Sequence, residues 1–176
     1  MEPVFDKLEG VNSVISGFSG GNVPNPTYQQ VVAGRTGHIE TVKVSYNPEK
    51  ITYLELLKNF WVNVDPYDGS GQFCDRGDSY RTAIFVSNNA QNASAKAAKQ
   101  AAQNALGQKI VTPILQAGQF YKAEAYHQDY HKGTKRVLTR FGAVKQSDAY
   151  KRYRKGCGRD ARVEQLWGKA APFVSH

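Results

Sequence analysis

Apolar and polar positions alternate with period two over residues 38–46, which places His38, Glu40, Val42, Val44 and Tyr46 on one side of a predicted strand. Asn47 and Pro48 end it. A second alternating run over 11–18 and a short apolar run over 82–86 predict two more strands. Over 52–62 apolar residues recur at helical spacing behind Thr52, with Glu55 three positions on, the pairing of a capping box; Asp65 and Pro66 stop this helix. Residues 89–106, rich in Ala, Gln and Lys, predict a surface helix closed by Gly107. The β-rich run 110–115 is broken by Pro113 and so predicts an edge strand. Residues 3–8 predict a helix fragment, 120–130 an aromatic loop with a helical turn, and 147–153 with 158–167 one or two helical pieces around Cys157. Glycines and prolines over 19–27 predict a long turn-rich loop, a length that is usually functional. Strands and helices alternate without a strict βαβ repeat, and no glycine-rich phosphate loop opens a helix. A two-layer α+β sandwich is the expected architecture.

Composition narrows this. The 176 residues, 40% hydrophobic, suffice for one core, so a single domain is expected over 1–176. No apolar run approaches the roughly 18 residues of a membrane span. The N-terminus lacks the basic-then-apolar layout of a signal peptide, so a soluble, cytoplasmic chain without a membrane partner is expected. The net charge of +8 is unevenly placed: 12 Lys and Arg against three acids from residue 131 onward, 11 against 12 before it. Such a basic segment, 131–176, reads either as a nucleic-acid footprint or as the solvated face of packed helices. No nucleic-acid motif accompanies it, and it is interleaved with Tyr150, Tyr153, Val163, Leu166 and Trp167, so the second reading is preferred. Two cysteines, Cys74 and Cys157, are too few for a disulfide scaffold. His38, His127, His131 and His176 show no metal-ligand spacing with them, so neither metal nor bound cofactor is expected.

The candidate chemistry starts at Glu40. A carboxyl on the inward side of an otherwise apolar strand is desolvated, which raises its pKa and lets it donate a proton near neutrality; the plainer reading is an exposed strand carboxylate. Tyr28 ends the run Asn25-Pro-Thr-Tyr28, and Tyr80 stands at the entry to the 82–86 strand. Each phenol is either a half-buried core residue or a hydrogen-bond donor to the same place. Asp75 is a site residue or a turn former.

Five ordered motifs carry a resemblance: Gly17-Phe-Ser-Gly-Gly21, Asn25-Pro-Thr-Tyr28, Gly34-Arg-Thr-Gly-His-Ile-Glu40, Gln72-Phe-Cys-Asp-Arg-Gly-Asp-Ser-Tyr-Arg81 and Glu124-Ala-Tyr-His-Gln-Asp-Tyr130. Together they resemble the A-type peptide methionine sulfoxide reductases, over nearly the whole chain. The resemblance implies a ferredoxin-like α+β sandwich and reduction of methionine-(S)-sulfoxide, free or in oxidised proteins. In that chemistry a cysteine thiolate attacks the sulfoxide sulfur while a glutamate and two tyrosines bind and protonate the oxygen. Glu40, Tyr28 and Tyr80 match those residues, and Asp75 matches an aspartate that orders the site. A second cysteine then closes a disulfide, which thioredoxin reduces. Cys157 is the candidate resolving cysteine, Cys74 the alternative thiol or else a small buried apolar residue. A monomer is expected.

The family's nucleophile belongs to a Gly-Cys-Phe-Trp motif, and by family spacing that motif falls just ahead of Met1. Residues 1–176 are therefore expected to lack the nucleophile and the first strand of the sheet, to be inactive alone and poorly soluble. Two accounts are open: an enzyme whose remaining residues precede this sequence, or a non-catalytic remnant that binds oxidised methionine or an acidic partner.

Overall fold

The computed structural model describes residues 1–139 and 142–170; the remainder of the basic segment, His176 included, lies outside the described residues. The elements run α1 (Glu2–Phe5), β1 (Val11–Ser19), α2 (Tyr28–Val32), β2 (Ile39–Tyr46), α3 (Tyr53–Trp61), β3 (Gly71–Gln72), β4 (Asp75–Arg76), β5 (Ile84–Val86), α4 (Asn89–Leu106), β6 (Ile114–Gln116), β7 (Tyr121–Lys122), β8 (Arg136–Thr139), β9 (Gly142–Lys145), α5 (Gln146–Gly156) and α6 (Arg159–Trp167). The expected α+β architecture is the one the chain adopts. None of these helices is long and apolar enough to cross a membrane.

Local chemistry sets the helix starts. Thr52 and Glu55 form the expected capping box, with the Thr52 N–H donating to Glu55 Oε2 at 2.8 Å and the Glu55 N–H donating to Thr52 Oγ1 at 3.2 Å. Thr27 and Gln30 repeat it on α2, a helix that the turn-rich reading of this region does not predict. Gly107 closes α4 at φ 70°, a conformation that favours glycine.

β1 is the hub of the main sheet. It pairs antiparallel with β2 from Val11–Tyr46 to Ser19–Ile39, and with β7 through Gly17–Lys122 and Phe18–Tyr121. Beyond β7 the Gln128 side chain continues the ladder, accepting from the Ser16 N–H at 2.9 Å and donating to the Ser16 and Ala123 carbonyls. β5 and β6 form a separate parallel pair, with β6 starting only after Pro113. The main core packs Leu57 and Trp61 of α3 and Ala95, Ala98 and Ala102 of α4 over Ile84, Val86 and Ile110. Small alanines let the long helix lie close to β5.

Among the described residues β2 bonds only to β1, and β5 only to β6. Between these two free edges lies a cleft of about 470 Å³, lined by Val42, Val44, Phe60, Ile84, Phe85 and Phe120 among others. This apolar slot, flanked by two strand edges that are unpaired among the described residues, separates the β1–β2–β7 sheet from the β5–β6 pair. Residues 120–130 form β7 and a 3₁₀ turn, and the C-terminal helical region divides into α5 and α6 at Cys157.

Candidate active site

Glu40 stands at the start of β2, opposite Phe18 of β1, where the sheet opens onto the cleft. Val42, Val44 and Tyr46 on the same side are half-buried, while Glu40 itself is open to solvent on one side. Its carboxyl nevertheless lies among Tyr28, Tyr80 and Asp75. Burial first, and the Asp75 charge second, raise its pKa from 4.5 to about 7, against a hydrogen bond from Tyr80 that favours the anion.

The phenols come from two separate segments. Tyr28 opens α2 and Tyr80 ends the 3₁₀ turn Asp78–Tyr80, and their hydroxyls hydrogen-bond to each other. Burial is the main cause that raises the pKa of both, with the neighbouring Glu40 charge adding to it, so both stay protonated donors.

Tyr28 is placed by the 19–38 loop. His38, buried at the mouth of β2, accepts from the Gly21 N–H at Nδ1 (3.1 Å), and its Nε2 lies 2.8 Å from the Val23 carbonyl oxygen. A neutral ring with its proton on Nε2 satisfies both contacts. The Asn22 N–H donates to Thr36 across the same loop. At the other end Glu124 accepts from the Tyr28 N–H at 3.4 Å.

Asp75 sits in the β3–β4 hairpin and accepts from the Tyr153 hydroxyl of α5 at 2.6 Å. Next to it Cys74 is exposed and joined to Cys157 in a disulfide, with their Cα atoms 5.3 Å apart. The reading of Cys74 as a small buried apolar residue is thus corrected: the hairpin holds it outward, where the turn between α5 and α6 meets it. Arg159, just past that turn, lies over the Phe73 ring at 4.9 Å and donates to the Asn63 carbonyl.

One residue of the site was missed in the sequence. The His127 ring lies between Tyr28 and Tyr126, centroids 4.2 and 4.0 Å away, and lines a smaller cavity of about 190 Å³ with Tyr28 and Glu40. Burial lowers its pKa, so its ring is held neutral. The spacing of Glu124 and His127, three apart in a helical turn, is the signal that was available.

Glu40 lines both cavities, with Tyr80 at the larger and Tyr28 at the smaller, so a carboxyl that titrates near neutrality sits with two phenols, suited to binding and protonating an oxygen that carries partial negative charge. A stability test follows from the Glu40 shift. In the unfolded chain Glu40 ionises near 4.5 and in the fold near 7, so the fold holds the extra proton in between and loses stability as pH rises through that window. Glu40→Gln should be close to neutral at about pH 4 and stabilising above about pH 7, read as the difference between urea midpoints. A difference that stays constant over this range would contradict the shift.

A family model described as "Peptide methionine sulfoxide reductase" matches residues 1–169. A protein named peptide methionine sulfoxide reductase MsrA from Bacillus licheniformis is 42% identical over 167 residues, covering 94% of this chain and 86% of that protein. MsrA 2 of Rhizobium meliloti is 44% identical over 177 residues, covering 100% of this chain and 82% of its own. Among solved structures, reduced Mxr1 from Saccharomyces cerevisiae is similar with a TM-score of 0.70 at 32% identity, covering 74% of this chain and 77% of its own. Methionine sulfoxide reductase A of Corynebacterium diphtheriae has a TM-score of 0.66 at 34% identity, covering 74% and 68% respectively.

Proposed function

The chain belongs to the peptide methionine sulfoxide reductase family, and from the site it carries we infer that it binds methionine-(S)-sulfoxide, free or in oxidised proteins, in a thiol-dependent repair reaction. The observation that carries this reading is the Glu40 carboxyl, raised to about 7 and hydrogen-bonded to Tyr80, which in turn meets Tyr28. In the proposed chemistry the phenols hold the sulfoxide oxygen and Glu40 protonates it as a thiolate attacks the sulfur. The methionine S–O bond breaks and methionine leaves, the protonated oxygen passes to the attacking sulfur as a sulfenic acid, and a second thiol displaces it as water to give a disulfide. Asp75 orders the acid.

The Cys74–Cys157 disulfide, exposed at Cys74, then fits the last step, exchange with a dithiol protein such as thioredoxin. Cys157 remains the candidate resolving thiol, with Cys74 its partner.

Residues 1–176 contain two cysteines, and both belong to that disulfide. We propose that these residues by themselves bind the sulfoxide without turning it over. Titration with a methionine sulfoxide peptide should give saturable binding that Glu40→Ala weakens. With dithiothreitol, turnover should fall about a thousandfold or more below that of the Bacillus licheniformis relative, the order of loss when a nucleophile is absent. Turnover comparable to the relative's would overturn this, and no binding at all would mean that the pocket of residues 1–176 is not competent.

A further inference from the structure

The hairpin of β8 and β9 has two unlike faces. Val137, Thr139 and Val144 are half-buried, with α5 packed against both strands, while Arg136, Leu138, Ala143 and Lys145 are exposed. The register sets Arg136 directly opposite Lys145 and Leu138 opposite Ala143, so these four share the outer face. One step beyond, the Gln146 N–H donates to the Lys135 carbonyl. Counted by twos from that bond, Arg136–Lys145 and Leu138–Ala143 are the non-bonded pairs of the ladder. In such pairs side chains stand closest, and the backbone N–H and C=O groups point away from the partner strand.

This face carries three separate costs. Two cations directly opposite each other repel. Leu138 is 88% exposed, more than any other large hydrophobic residue among those described. Along β8 the outward backbone groups of Arg136 and Leu138 meet no strand among the described residues. The base of the hairpin is nevertheless anchored: the Ser147 N–H donates to the Gly133 carbonyl, and the Gln146 side chain donates to the Tyr126 carbonyl at 3.5 Å.

We propose that the outer edge of β8 is a docking site for an extended acidic segment of another polypeptide, which adds to the hairpin as an antiparallel third strand. One occupant relieves all three costs. Its backbone pairs with β8, a carboxylate opposite Arg136 separates the two cations, and an apolar residue two positions away, on the same side of the added strand, covers Leu138. Residues 133–156 carry eight Lys and Arg against a single acid, Asp148, so the field around the edge selects a negative partner. The same field disfavours a second copy of this hairpin, which brings its own cations. A lipid surface or a nucleic acid would neutralise the cations and leave the strand edge unpaired. None of the four outer residues lines either cavity, so the inference stands apart from the proposed reaction.

The test is NMR titration of residues 1–176 with an eight-residue peptide in which serine alternates with Glu and Val in turn, placing acid and apolar residue two apart. The amide signals of Arg136 and Leu138 should shift saturably, and binding should weaken in about 0.5 M salt. Arg136→Glu should lower affinity about fivefold or more and favour the peptide with Lys in place of Glu. Lys151→Glu, the same charge change on the exposed side of α5, should cost less than about twofold. N-methylation of the peptide at its Glu and Val residues removes the donors that face β8 and should weaken binding about tenfold, whereas N-methylation at its serines should not. Absence of saturable shifts at residues 136 and 138, equal losses in Arg136→Glu and Lys151→Glu, or equal binding by the two N-methylated peptides would each overturn the proposal. So would phosphatidylglycerol vesicles or a single-stranded oligonucleotide that shift these signals when the peptide does not.

Discussion

Cys157→Ser is expected to lower the stability of the oxidised chain by about 4 kcal/mol. The disulfide joins residues 83 apart in sequence, so it removes a large loop from the unfolded ensemble, and the entropic gain grows with the logarithm of that length. A loss of this size should lower the thermal midpoint by roughly 10 °C for a chain of this length. The measurement is urea or thermal unfolding under non-reducing conditions, repeated with excess reductant. Reductant should bring the unmodified chain down to the level of the variant and leave the variant unchanged. A difference below about 1 kcal/mol would show that contacts such as Arg159 over Phe73 and Arg162 to Asp65 already hold the C-terminal helices without the covalent tie.

Gly21→Ala should cost about 3 kcal/mol and weaken sulfoxide-peptide binding by about tenfold or more. A β-carbon at position 21 would lie 2.3 Å from the Thr36 carbonyl oxygen and 2.4 Å from the His38 nitrogen. Both are backbone atoms, which cannot turn aside as a side-chain tip can. The clash falls where the Gly21 N–H reaches His38 and the Asn22 N–H reaches Thr36, so relieving it breaks the two bonds that close the loop. Tyr28 is carried by this loop, which links the stability loss to the binding loss. Gly34→Ala is the comparison: Gly34 has φ 76° but open space around it, so its cost is backbone strain of about 1 kcal/mol alone. Equal effects at the two positions would rule out the close approach as the cause.

These two cases show where sequence reasoning succeeds and where it stops. β1, β2, α3 and α4 lie where alternation, helical spacing and a capping box put them, since each signal is carried by residues within about four positions of one another. Pro113 delays β6 for an equally local reason. The grouping of Glu40, Tyr28, Tyr80 and Asp75 was legible only through the resemblance of five motifs, because nothing in period or spacing brings residues 28, 40, 75 and 80 together. α2 lay hidden in a run that reads as turns, although Thr27 and Gln30 carried its capping signal.

Cys74 marks the limit most clearly. By its neighbours it is an isolated small residue, and only the meeting of the β3–β4 hairpin with the α5–α6 turn makes it half of a disulfide. The same holds for His127 between two tyrosines and for Tyr153 on Asp75, partners 99 and 78 positions distant in the farthest cases. By itself the sequence determined the α+β class, most of the longer elements and, by resemblance, the candidates for an acid and its phenols. The tertiary structure alone decided that the two cysteines meet, which ring backs Tyr28 and how the charges around Glu40 are arranged. Local elements follow from bonds made within a few residues, whereas burial and electrostatic fields are sums over groups that only folding brings within a few ångströms.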